Sequence, residues 1–85
     1  MHYVYLLKST KENFTYIGST DNLERRFLEH NNGKSQATKF YAPFKLIYYE
    51  AYANKDDALS REHKLKHHGS VSGHLKKRIA KSIEG

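Results

Sequence analysis

The run Tyr16-Ile17-Gly18-Ser19-Thr20-Asp21-Asn22-Leu23-Glu24-Arg25-Arg26-Phe27-Leu28-Glu29-His30 holds a tyrosine, an arginine and a histidine within fifteen residues. It reads as a strand end, a glycine turn, a cluster of capping residues and then a helix. Thr20, Asp21 and Asn22 each suit the N-cap, where a short side-chain oxygen satisfies an unpaired amide of the first helical turn. Leu23 and Phe27, four apart, face a core. Asn22, Arg26 and His30, also four apart, share a neighbouring face. A tyrosine at a strand end, followed by an arginine and a histidine along one helix, suits chemistry on a phosphodiester.

Two further residues extend this set. Glu62 falls on one side of a second helical stretch with Ala58 and Leu65, so a carboxylate stands in an apolar stripe. Such a glutamate needs a partner: a metal ion, or a salt bridge to Arg26 or Lys66. Tyr5 lies on the first strand and can emerge beside Tyr16 if the register allows. Taken singly, a strand tyrosine is more often a packed side chain with a satisfied hydroxyl, and a lone arginine a surface residue. The order of the five together carries the signal.

The elements that position them read β-β-α-β-α with a terminal helix. Residues 3–8 form a first strand, 9–13 a hairpin loop with Asn13 suited to positive φ, and 14–18 the returning strand. A helix from about residue 21 stops near Asn31-Asn32-Gly33. Residues 34–43 are a polar, basic loop whose Ser35, Gln36, Thr38 and Lys39 suit phosphate contacts. Residues 44–52 form a strand that is apolar on both faces, hence covered on both sides or central in its sheet. Asn54 caps a helix to about His68, with Asp56 and Asp57 in its first turn. Residues 70–73 interrupt the pattern, and 74–83 form a short basic helix carrying Leu75, Ile79 and Ile83.

Eighty-five residues with 38% hydrophobic content suit one small domain, 1–85, with a core over 1–68 and a basic helix over 70–85. The absence of cysteine excludes disulfides and cysteine-ligated zinc. The apolar run at the N-terminus is too short for a signal peptide or membrane span, which points to the cytosol and away from a membrane. A net charge of +6, concentrated after residue 60, favours a polyanionic partner through phosphate contacts; the alternative is a solvated basic surface. His63 and His67 lie four apart, but a zinc site needs a further ligand that nothing identifies.

Set together, these residues resemble the GIY-YIG nuclease superfamily. Tyr3-Val4-Tyr5 stands where the first motif, Gly-Ile-Tyr, would be, and Tyr16-Ile17-Gly18 matches the second literally. The run from Asn22 to His30 resembles the family's arginine motif, with Arg26 in the matching place and His30 its companion. Ala58 to Glu62 resembles the helix that carries the metal-binding glutamate. Tyr3 replaces the first-motif glycine, and Ser19 stands where excision-repair members carry a lysine, leaving that role unfilled or taken over by His30. The likeness is to small standalone members similar to the N-terminal nuclease domain of the excinuclease C subunit. It implies an α/β domain with a three-stranded, mainly antiparallel sheet flanked by helices.

The resemblance also implies a mechanism. Glu62 would hold Mg²⁺, with Mn²⁺ a substitute, and Arg26 would steady the scissile phosphate. Tyr5 or Tyr16 would orient or deprotonate water, and His30 would be its cationic neighbour or a second phosphate ligand. The implied substrate is DNA ahead of RNA, cut with low sequence specificity in repair or recombination, by a homodimer or with a partner protein that supplies specificity. The rival reading is a nucleic-acid-binding module that keeps the fold without cleaving.

Overall fold

The computed structural model describes residues 1–85. Strands β1 (His2–Ser9), β2 (Thr15–Thr20) and β3 (Phe44–Tyr52) form an antiparallel sheet in the order β2-β1-β3. Val4, Tyr5, Leu6 and Leu7 of the central strand are each no more than 2% exposed, because both faces of β1 are covered. On one face Val4 packs with Ala58 and Leu65 of α2 (Lys55–His67) and Leu75 of α3 (Gly69–Arg78). On the other, Tyr5, Leu7 and Phe44 pack against Leu23 and Phe27 of α1 (Leu23–Asn31). The expected α/β sheet with flanking helices is therefore the fold adopted.

Three local expectations are corrected. Of the two readings of the strand over 44–52, the central one fails: it lies at an edge with helices packed on both of its faces, and the central place belongs to β1. Its apolar pattern on both faces arises from a bulge. Leu6 pairs with Tyr48 but Leu7 with Leu46, so Ile47 is an extra residue and the alternation changes phase across it. Phe44 and Leu46 then face α1, while Tyr48 and Tyr52 face α2 and α3.

Asn13 does not adopt positive φ; only Gly33 does, at 71°, just past α1. The hairpin is instead drawn around Ser9, whose hydroxyl oxygen accepts from the amides of Lys11 at 3.2 Å and Glu12 at 3.1 Å. A loop folded around a side-chain acceptor needs no left-handed residue. The caps follow the simpler rule: Asn22 accepts from the Arg25 amide and Asn54 from the Asp56 amide.

Residues 70–73 do not break the C-terminal helix. α3 starts at Gly69 and runs through them, and the chain kinks at Ile79 before a short α4 (Ala80–Glu84). Val71 and Leu75, four apart, both pack into the core, and that burial outweighs the helix penalty of two glycines. A Cβ at Gly73 would meet nothing within 4 Å. Gly73→Ala should therefore stabilise the fold by about 0.5–1 kcal/mol. An increased urea midpoint would agree, and a decreased one would contradict the placement of α3.

Candidate active site

Tyr5 is the centre of the site. It pairs across the ladder with Gly18, and its ring lies over that glycine: a Cβ there would sit 2.4 Å from the Tyr5 hydroxyl oxygen and 3.1 Å from the Tyr16 ring. Only a residue without a side chain permits this approach. Tyr16, two residues earlier on β2, shares the face, with its ring centroid 6.5 Å from that of Tyr5.

α1 brings His30 down onto the same face. The imidazole is fully buried; its Nε2 is 2.9 Å from the Tyr5 hydroxyl and its Nδ1 is 2.7 Å from the Thr38 hydroxyl. Burial first, and then the Arg26 charge, lowers the His30 pKa to about 4. A neutral imidazole has one donor and one acceptor nitrogen, and the two hydroxyls complement it in either tautomer. His30 is therefore not the expected cationic neighbour, and with both nitrogens engaged it is not placed as a phosphate ligand. Burial pushes the Tyr5 hydroxyl up to about 12, against an opposing pull from Arg26; the charges of Tyr16 and Glu62 add to the rise.

Arg26 is the cation beside Tyr5. It lies one turn before His30, about a third exposed, with its guanidinium 3.0 Å from the Glu29 carboxylate. Burial would lower its pKa, but Glu29 and Tyr5 together outweigh that and raise it. Its partly exposed fork is available to an anion arriving over Tyr5.

Glu62 stands apart from these four. It reaches the β2 edge from α2, accepting from the Ser19 hydroxyl at 2.7 Å and from the Lys66 ammonium at 2.8 Å. Burial raises its pKa, but Lys66 and Ser19 outweigh this and lower it, which keeps it ionised. The Lys66 nitrogen also lies 5.4 Å from the Tyr16 ring centroid, linking the carboxylate to the aromatic pair. Of the two salt bridges foreseen for Glu62, that to Lys66 forms.

This donor set suits a hard divalent cation. Glu62 is an ionised, half-buried carboxylate already holding a positive group, and Mg²⁺ is commonly bound by one carboxylate with waters and substrate phosphate. No group of three or more His, Cys, Asp or Glu is arranged to hold a metal ion, although the His63 and His67 rings lie 4.5 Å apart. Thr38, expected to contact phosphate, is instead fully buried against His30, and Ser19 takes the role of a partner to Glu62. Neither pairing, Thr38 with His30 or Ser19 with Glu62, falls at a helix or strand spacing, so neither leaves a local pattern.

Comparison with known proteins places the chain in a family. The family model described as the GIY-YIG catalytic domain matches residues 1–76. The chain belongs to that family, which supports a nuclease-type function. It is 46% identical over 67 residues to UPF0213 protein CPE1444 of Clostridium perfringens, covering 78% of this chain and 71% of that protein. It is 36% identical to UPF0213 protein NP_0776A of Natronomonas pharaonis, covering 99% and 95% of the two chains. The solution NMR structure of UPF0213 protein BH0048 from Bacillus halodurans superposes with a TM-score of 0.57 at 30% identity, covering 92% of this chain and 83% of that one.

The buried neutral His30 has a consequence for stability. Its folded pKa near 4 lies below the unfolded value of about 6.5. Above pH 6.5 it is neutral in both states and contributes no pH dependence. As pH falls from 6.5 to 4 only the unfolded chain takes up the proton, so the fold loses about 3 kcal/mol across that window. Urea titrations at a series of pH values should show this loss, and His30→Gln should flatten it. A variant profile parallel to wild type would contradict the assignment.

Proposed function

We propose that this chain is a divalent-metal-dependent endonuclease that hydrolyses phosphodiester bonds in DNA. The observation that carries the reading is the Tyr5 hydroxyl, held by His30 with Arg26 beside it, with the ionised Glu62 reaching the β2 edge from the other side of the sheet. Arg26 exchanges Glu29 for a non-bridging phosphate oxygen and stabilises the charge that grows there. Glu62 would hold Mg²⁺ or Mn²⁺ in place of Lys66, and the bound ion would supply charge neutralisation at the phosphate.

Tyr5, rather than Tyr16, handles the attacking water, because its hydroxyl alone of the two meets His30. With a pKa near 12 it carries little phenolate at neutral pH, so it works through its hydrogen bond. As water attacks phosphorus, the Tyr5 oxygen accepts its hydrogen bond while the Tyr5 proton stays directed at His30 Nε2. The other imidazole nitrogen keeps its proton on Thr38. The water's proton goes to solvent, and the P–O bond to the leaving sugar oxygen breaks with its electron pair on that oxygen, which takes up a proton from solvent.

A second reading, a nucleic-acid-binding module, is favoured by one observation: Arg26 and Glu62 are each already engaged in an internal ion pair. Supercoiled plasmid and labelled single-stranded DNA and RNA, with and without Mg²⁺ or Mn²⁺, separate the readings. Metal-dependent cutting should fall about 10²–10³-fold in Arg26→Ala and disappear in Glu62→Ala while binding persists. Binding without cutting of any substrate would establish the module instead. Preferential cutting of RNA would correct the substrate.

A further inference from the structure

Tyr49 is the β3 partner of Tyr5, one ladder step away on the same face, and it is 53% exposed. Tyr3, two residues before Tyr5, shares that face and meets Tyr49 edge to face, with ring centroids 6.0 Å apart and planes at 67°. Neither ring belongs to a core cluster, because α1 covers only the part of the face over Tyr5, Leu7 and Phe44. Ala51, opposite Tyr3, offers only a methyl group. The uncovered part of the sheet is thus an aromatic corner on the face that carries Tyr5, one strand across from it on the side away from Gly18. Core packing does not account for it.

We propose that Tyr3 and Tyr49 form a stacking subsite for an unpaired nucleobase on the sheet face that carries the phosphate site of Tyr5 and Arg26. The inference rests on the reading that this site takes a nucleic-acid phosphate, and it narrows the substrate to one with an unstacked base. Every nucleobase has a π-face, so such a subsite tolerates sequence while requiring that the base be free of its duplex neighbours. The net charge of +6 supplies the sequence-independent attraction for the backbone, and the aromatic corner supplies the preference for open strands. An extended single strand and a duplex with one bulged nucleotide offer the same chemistry.

The test is equilibrium binding in EDTA, where no metal-dependent cutting occurs. Wild type, Tyr49→Thr and Tyr49→Phe are titrated against a fluorescein-labelled 12-mer single strand, its blunt duplex, and the duplex carrying one bulged nucleotide. Threonine keeps the strand propensity and removes the ring. We expect Tyr49→Thr to weaken single-strand binding about 10-fold and duplex binding less than 2-fold, with Tyr49→Phe close to wild type. Bulged-duplex binding that follows the single strand identifies a flipped base as sufficient; bulged-duplex binding that follows the blunt duplex restricts the subsite to open strands.

Equal losses on single strand and blunt duplex, no loss at all, or no binding to any oligonucleotide would overturn the inference. So would a change of sedimentation in Tyr49→Thr without a change in affinity, which would make the corner a contact between copies of the chain. Because the assay needs no cleavage, a stacking effect in a protein that cuts nothing refutes the nuclease reading alone. Cutting with an unaltered Tyr49→Thr affinity refutes the subsite alone.

Discussion

The buried hydrogen-bonded chain from Tyr5 through His30 to Thr38 is the constraint around which the site is built. It joins the central strand, the last turn of α1 and the loop before β3, with no member more than 2% exposed. A buried polar group without a partner costs roughly 1–3 kcal/mol, so each of the three holds the other two in register. No buried side-chain nitrogen or oxygen lacks a partner. Fixing His30 fixes the rotation of α1, and one turn earlier that rotation directs Arg26 toward the Tyr5 hydroxyl. Gly18 completes the arrangement by giving the Tyr5 ring somewhere to lie.

The opposite face is anchored differently. Glu50 on the edge strand accepts three hydrogen bonds from Arg61 of α2, at 3.0 to 3.2 Å, and one from each of Tyr48 and Tyr52. Burial would raise the Glu50 pKa, but Arg61 and the two hydroxyls outweigh it and lower it; burial and the Glu50 charge push Tyr52 up to about 12. This half-buried pair is unlike Arg25–Asp21, whose two side chains are 59% and 71% exposed and which adds little. Arg61 precedes Glu62, so the clamp that seats α2 also sets where Glu62 meets Ser19. One face places the hydroxyl and the guanidinium, and the other places the carboxylate.

The sequence made local geometry legible and left cross-chain contacts hidden. Asn22 and Asn54 cap helices where their neighbours said they would, and Tyr5, Tyr16, Arg26 and His30 gather on one face because strand and helix periodicities place them there. The centrality of β1 was hidden by the bulge at Ile47, which makes an edge strand look apolar on both faces. The helix through Gly69 and Gly73 was hidden because propensity speaks against it and only the docking of Val71 and Leu75 decides it. The resemblance makes His30 a cationic neighbour or a phosphate ligand; its burial, set by Thr38 and Phe44 from the following loop and strand, makes it neutral. Ser19 and Thr38 became site residues only once the fold set them against Glu62 and His30.

The central claim is that the Tyr5 hydroxyl handles the attacking water, with His30 behind it. Single-turnover cleavage by Tyr5→Phe in saturating Mg²⁺, with oligonucleotide affinity measured in parallel, tests it most directly. The substitution keeps the ring over Gly18 and removes one oxygen. The account predicts a rate lower by about 10²–10⁴-fold at unchanged affinity. A rate within a few-fold of wild type would place the water-handling group elsewhere, with Tyr16 the first residue to test.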